Sequence, residues 1–275
     1  MLQMAAELPP LLLLGMGQVG KEVVKQCGGA RQITATSRNP DRLFELADLS
    51  VTPLIMPAPS AEIIEPFARD SAVVVSYPPD GFTDRILAPA CAAARTLVYI
   101  STTGVYGKRI GTVDDTTPVD SSEERARLRL DAEGIWREHG AVVLRAPGIY
   151  GPTSGLHLRL RKGTYRLPEG GGNMISRIHV EDLARIILSC LEATNLSRDT
   201  YVVGDQMPCT QLEIITWLCN EMNIAMPESV PLSEVSPTLR GNRAVDASAI
   251  LSELKLSLRY PTYKEGYRQC LEMSA

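Results

Sequence analysis

The segment Leu11-Leu12-Leu13-Leu14-Gly15-Met16-Gly17-Gln18-Val19-Gly20 constrains this chain more than any other stretch. Four consecutive apolar residues read as a strand covered on both faces, as in parallel sheets. The next six residues follow a Gly-x-Gly-x-x-Gly pattern and open a helix carrying Val23 and Val24. In that setting the first glycine permits a tight turn and the second lets backbone approach a pyrophosphate. The third permits close helix–strand packing. A helix start also offers unpaired N–H groups and partial positive charge. Gly15, Gly17, Gln18, Val19 and Gly20 are therefore candidate contacts for a dinucleotide. An ordinary tight turn between strand and helix is the plainer alternative.

The strand–helix alternation continues through the first half. Short Val-, Ile- and Leu-rich runs at 33–35, 52–56, 72–75, 97–100 and 142–144 read as buried strands. Helices are expected at 20–27, 40–46, 61–68, 82–94 and 122–139, the last with Leu128, Ala132, Ile135 and Trp136 at helical spacing. This repetition predicts an α/β fold: a Rossmann-type doubly wound parallel sheet with helices on both faces. After residue 145 the pattern loosens. Gly/Pro-rich stretches at 147–155 and 168–172 flank a short basic helix, and helices are expected at 178–190, 211–223 and 261–273 around a strand at 201–203. We expect a nucleotide-binding domain over 1–150, completed by parts of 176–205. Residues 151–275 form mostly a small C-terminal substrate lobe.

Composition narrows the function classes. Hydrophobic residues make up 44% of the 275 and charged residues 22%, enough apolar material for a large core, so disorder is excluded as the main state. A net charge of −4 excludes a globally basic nucleic-acid binder. The early apolar run of four falls far short of the roughly 20 residues that a membrane helix needs, so no membrane partner is expected. Nor does it have the flanks of a secretory signal. Six dispersed cysteines fit unpaired thiols in a reducing cytoplasm, and three scattered histidines form no metal-ligand pattern. We expect a cytoplasmic protein without a metal, a monomer or homodimer.

Cofactor choice is read near the end of the second strand, where NAD-users usually place a carboxylate on the ribose 2′-hydroxyl. Here the chain reads Thr34-Ala35-Thr36-Ser37-Arg38-Asn39, with no acid before Asp41. Ser37 can donate to a 2′-phosphate and Arg38 can pair with it through a charged fork. This predicts NADP; the alternative is a solvated Arg38 ahead of a helix. Farther on, Tyr77 and Pro78 end the fourth strand, where backbone would line the nucleotide crevice.

Three further segments follow: Ser101-Thr102-Thr103-Gly104-Val105-Tyr106-Gly107, then Arg145 to Pro152 as RAPGIYGP, then Arg177 to Ala184 as RIHVEDLA. With the glycine turn, and in this order, they make the chain resemble the extended short-chain dehydrogenase/reductase family, which includes sugar-nucleotide epimerases and dehydratases. The resemblance implies that Thr102 is the catalytic hydroxyl, with Thr103 its neighbour. It places Pro147 and Ile149 against the nicotinamide side of the cofactor and makes His179 a structural histidine.

The departure matters equally. Typical members carry a Tyr-x-x-x-Lys pair on the helix after the fifth strand, yet residues 121–133 contain no tyrosine. Aligning Glu133 with the family's helix glutamate puts Arg129 near the lysine position and Arg125 at the tyrosine position. A shift by one gives Leu130 and Ala126. Arginine can hold a ribose but is too basic for ordinary proton transfer at neutral pH. The chain thus looks like an atypical extended member, a group commonly without the pair. Tyr106 is the nearest phenol by sequence for proton exchange, with packing in the turn as its other reading.

Arg159, Arg161, Lys162 and Arg166, with Arg177 and Arg240, could hold an anionic small-molecule substrate or be a solvated face. The leading expectation is an NADP(H)-binding oxidoreductase or epimerase-like enzyme acting by hydride transfer on a small or nucleotide-linked substrate. Thr102, Tyr106 and Arg129 would be its catalytic residues. The rivals are a non-catalytic NADP(H) sensor or regulator, and an ordinary NAD-dependent sugar-nucleotide epimerase.

Overall fold

The computed structural model describes residues 8–39 and 51–273. The helix expected at 40–46, and Asp41, lie outside them. The main sheet has seven strands: β1 Leu11–Leu14, β2 Ile33–Ser37, β3 Val51–Ile55, β4 Ala72–Val75, β5 Thr96–Thr102, β6 Val142–Ala146 and β7 Thr200–Val202. Their order is β7-β6-β5-β4-β1-β2-β3. The pairings β3–β2, β2–β1, β1–β4 and β4–β5 are all parallel. Helices alternate with them: α1 Gln18–Cys27, α2 Ala61–Ala68, α3 Thr83–Ala90, α4 Glu124–Glu138, α5 Leu156–Arg161, α6 Val180–Glu192, α7 Gln211–Met222, α8 Ser248–Glu253 and α9 Tyr263–Glu272. This is the doubly wound α/β architecture.

Two compact units divide the described residues. Unit 1 holds those up to Ser101 together with Leu128–Val143 and Ala184–Asp199; unit 2 holds Thr102–Arg127, Leu144–Leu183 and the chain from Thr200 onward. In unit 1 the four leucines of β1 are at most 1% exposed, because neighbouring strands pair on either edge and helices cover the faces. Its core packs Leu12, Leu14, Val73 and Val75 against Ile64 of α2, Leu87 of α3 and Trp136 of α4. α1 starts at Gly17, where no side chain caps it, and ends at Gly28 in the left-handed conformation, φ 53°.

α3 is shorter than its apolar pattern suggests, closing at Ala90 instead of Ala94. Pro89 has no N–H for the helical ladder, and the chain continues in tighter turns, Cys91 N–H to Ala88 O and Ala92 N–H to Pro89 O. Unit 2 has its own core, with Tyr150, Tyr165, Ile214, Leu218 and Tyr267 at its centre. Its helices α7 and α9 both begin with reciprocal capping boxes, Thr210–Glu213 and Thr262–Glu265. His179, 1% exposed, stands edge-on to Tyr150 at 5.1 Å and tilts over Tyr260 at 4.3 Å. Burial lowers its imidazole pKa.

All six cysteines are buried, and no disulfide joins them. Among the described residues no helix is long and apolar enough to cross a membrane, and no group of three or more His, Cys, Asp or Glu side chains could hold a metal ion.

Candidate functional site

The glycine turn of unit 1 is built from both sides of β1. A Cβ on Gly15, whose φ is +102°, would lie 3.2 Å from the Tyr77 backbone nitrogen. Its N–H donates to Thr36 Oγ1 at 3.1 Å and its carbonyl accepts from Ser76 Oγ at 2.8 Å, so β2 and β4 each clamp the turn. A Cβ on Gly20 would come within 2.9 Å of the Gly15 carbonyl oxygen. Gly17 differs from both: a Cβ there would meet nothing within 4 Å. The crowded glycines are needed for packing, whereas the middle one faces open space at an uncapped helix start. That is the arrangement a pyrophosphate requires.

A pocket opens from this turn across the ends of β2 and β4. Gly15, Ser37, Arg38, Tyr77, Pro78 and Asp80 are among its lining residues, and Met56, Pro57 and Leu87 supply apolar wall. Ser37 and Arg38 thus line the same pocket as the first glycine. Arg38 is exposed and Ser37 half-buried, its hydroxyl donating to Asn39 O at 2.7 Å. Among the described residues Asp80 is the acid in this wall, and its oxygens are already engaged. It accepts from Thr83 N–H at 2.7 Å, Thr83 Oγ1 at 2.6 Å and Phe82 N–H at 2.9 Å. Slight burial would raise its pKa, but these bonds outweigh that and hold it below the usual carboxylate range.

Arg129 also belongs to unit 1. Its Nη1 donates to Tyr99 Oη at 2.9 Å and to Ile100 O at 3.3 Å, near the end of β5. Tyr99 stacks on Trp136 with ring centroids 6.2 Å apart, and Trp136 Nε1 donates to buried Asp84 at 2.7 Å. One turn along α4, fully buried Glu133 accepts from Ser101 Oγ at 2.5 Å. Arg125 is exposed, Ala126 buried and Leu130 half-buried.

In unit 2, Thr102 caps the short 3-10 helix Thr103–Tyr106, its Oγ1 accepting from Gly104 N–H at 3.2 Å. Tyr106 is fully buried. Its hydroxyl donates to Asp114 O at 2.9 Å and accepts from Arg145 Nη1 at 3.2 Å, while the guanidinium lies 5.3 Å from the ring centroid. Pro147 and Ile149 are half-buried, Ile149 in the strand Gly148–Tyr150, which pairs in parallel with Arg177–His179. Several of the basic candidates are engaged. Arg240 donates to Ser233 O and Val235 O, Arg166 to Gly163 O and Tyr165 O, and Arg159 lies over the Tyr165 ring.

No protein-family model matches this chain and no curated protein matches it. Solved structures do. A conserved protein of unknown function from Silicibacter pomeroyi superposes with a TM-score of 0.81 at 29% identity, over 96% of this chain and 98% of that one. dTDP-glucose 4,6-dehydratase from Bacillus anthracis, in complex with NAD, gives 0.79 at 18%, over 97% and 96%. UDP-glucuronic acid 4-epimerase from Bacillus cereus, also in complex with NAD, gives 0.77 at 14%, over 97% and 100%. This chain shares the fold of these NAD-bound dehydratase and epimerase structures.

Within this shared fold, sequence reasoning overlooked several residues that shape the sites. Thr36 was visible only as a polar residue in β2, with nothing to announce its bond to an amide 21 residues earlier. Asp84 and Tyr99 carry no local motif, because their partners come from α4. Asp205, 2% exposed, was silent as well; an acid directly after the Val202-Val203-Gly204 run was the available signal.

Proposed function

We propose that this chain is an NADP(H)-dependent oxidoreductase or epimerase-like enzyme of the atypical extended short-chain type, acting on a small or nucleotide-linked substrate. The observation that carries this reading is the glycine turn of unit 1, with Gly17 open at an uncapped helix start and with Ser37 and Arg38 in the adjoining pocket. The fold is shared with proteins whose structures hold NAD, which supports a nicotinamide nucleotide as the class of cofactor. Ser37 and Arg38 favour the 2′-phosphorylated form. Among the described residues, the acid in that wall is Asp80, which already accepts three hydrogen bonds, and the cation that lines the pocket for a 2′-phosphate is Arg38.

When bound, the nicotinamide supplies the hydride exchange. Residues of the chain do the rest. The amides of Gln18, Val19 and Gly20 and the open face of Gly17 take the pyrophosphate, while Tyr77 and Pro78 line the nucleotide pocket. Pro147 and Ile149 shape the nicotinamide side. Thr102 orients the reacting oxygen, and Arg129, seated on Tyr99, holds ribose or polarises the site. The Tyr106 proton is committed to the Asp114 carbonyl, so a bound water exchanges the proton. We assign nucleotide binding to residues 1–150, completed by parts of 176–205, and substrate binding mostly to 151–275.

The test is deuterium transfer from 4-deuterated NADPH to a panel of carbonyl and sugar-nucleotide substrates. We expect turnover that Thr102→Ala lowers at least 100-fold and that Tyr106→Phe changes less than 10-fold. NADPH binding without transfer to any substrate would instead identify a sensor, the reading that the absent Tyr-x-x-x-Lys pair favours.

A further inference from the structure

Arg177 in unit 2 has an unusual setting. It pairs across the short parallel ladder with Gly148, and its guanidinium lies directly over that glycine. A Cβ at position 148 would fall 2.2 Å from Arg177 Nη1 and 3.0 Å from Cζ. Gly148 has no positive φ, so close approach of the arginine, and not backbone conformation, is what a side chain there would disrupt. Gly148 itself is exposed and Arg177 half-buried, so the outer end of the guanidinium lies against a solvent-facing glycine.

The inner end is different. Arg177 Nε is buried and, among the described residues, has no hydrogen-bond partner; the same holds for Asp205 Oδ2. Asp205 is next to Arg177, its N–H donating to Arg177 O at 2.7 Å. Its side chain is 2% exposed and feels the guanidinium charge without closing an ion pair on it. Tyr165 and Tyr267 lie within the same electrostatic reach. A half-buried arginine that has no carboxylate partner among the described residues costs stability and returns none to the fold alone. Its planar fork matches the oxygens of a carboxylate or phosphate.

We propose that unit 2 carries an oxyanion-recognition site formed by Arg177 over Gly148, with Asp205 behind it, which binds a carboxylate or phosphate group of the substrate. This rests on the enzyme reading above for the word substrate, while the site itself does not require it. Gly148 is the opening and Arg177 the recognising cation. Asp205 tunes the site through its charge and its unpaired oxygen.

The experiment is arginine footprinting of the full chain. Phenylglyoxal modification of Arg177 is followed by mass spectrometry with and without inorganic pyrophosphate, inorganic phosphate or malonate, at constant ionic strength set with chloride. We expect one of these probes to slow modification of Arg177 at least fivefold, while exposed Arg69 and Arg137 are unchanged. Protection by the phosphates identifies a phosphoryl group, and protection by malonate a carboxylate. Calorimetric affinity for the protecting probe should fall at least tenfold in Arg177→Gln, and Arg177→Lys should fail to restore it, because charge without the fork is insufficient. Absence of protection by every probe, or unchanged affinity in Arg177→Gln, overturns the proposal. If Arg177→Gln does not fold, footprinting of the wild-type chain decides. NADPH binding is titrated in parallel: NADPH binding without anion protection overturns only this site, and anion protection without NADPH binding overturns only the enzyme reading.

Discussion

Replacing Asp205 by asparagine should make the protein less sensitive to alkaline pH, and the size of the effect follows from the structure. The carboxyl is 2% exposed; Oδ1 accepts from Met207 N–H at 3.2 Å, and Oδ2 has no partner among the described residues. Burial pushes the group up from an ordinary 3.8 to about 7, against the pull of the Met207 N–H and the Arg177 charge; the Asp182 charge pushes upward too. Tyr150, Cys209, Tyr263 and Tyr267 also face it and feel its charge. Because the folded value lies above the unfolded one, the folded state keeps a proton that the unfolded chain has released. The stability associated with that proton is full below about pH 4 and is lost as the pH rises toward 7. Between pH 5 and 7 the slope is about 1.4 kcal/mol per unit, roughly 3 kcal/mol in all.

Asparagine does not titrate, so any cost of its unpaired amide is the same at both ends of that range. The difference in unfolding free energy between Asp205→Asn and wild type should therefore shift in favour of the variant by about 2–3 kcal/mol from pH 5 to pH 8. Urea denaturation at the two pH values reads this directly. Parallel pH profiles would show that the buried carboxyl is already solvated or paired, and would refute the reasoning. A variant that loses stability more at pH 8 than at pH 5 would show that Asp205 and Arg177 stabilise each other as charges.

Three further substitutions probe the glycine turn and the buried Asp84. Gly17→Ala should leave the melting temperature within a few degrees, since its Cβ meets nothing, yet weaken NADPH at least tenfold. Gly20→Ala should instead cost about 1–3 kcal/mol of stability, because its Cβ would press on the Gly15 carbonyl oxygen. Chemical denaturation and calorimetry separate the two effects, and wild-type NADPH affinity in Gly17→Ala would contradict the assignment of the turn. Trp136→Phe removes the indole N–H that donates to buried Asp84 and should cost about 2–3 kcal/mol in urea. A loss under 0.5 kcal/mol would mean that water replaces the indole N–H.

Much of the fold was legible because its signals are local. β1, the glycine turn and α1 lie within 17 residues, and each step there depends on the next few residues alone. Strand ends were harder to read. The apolar run in β5 stops at Ile100, but the ladder continues through Ser101 and Thr102, since backbone pairing does not require an apolar side chain. The same holds for Thr36 and Ser37 at the end of β2. In the sites, Ser37, Arg38 and Thr102 announced themselves through motif position. Asp84, Glu133 and Asp205 did not, because what makes each distinctive is a partner tens of residues away or the lack of one. Tyr106 shows the limit from the other side: its sequence position suggested chemistry, while its surroundings hold the hydroxyl between Asp114 and Arg145.

The central claim is that the pocket beside the glycine turn takes a 2′-phosphorylated nicotinamide nucleotide on Arg38. Calorimetric titration of NADPH and NADH into wild type and Arg38→Ala tests it most directly. The expected result is at least tenfold tighter binding of NADPH than NADH, with the preference abolished in Arg38→Ala and NADH affinity unchanged. Equal affinities in the wild type, or a preference for NADPH that survives in Arg38→Ala, would contradict it.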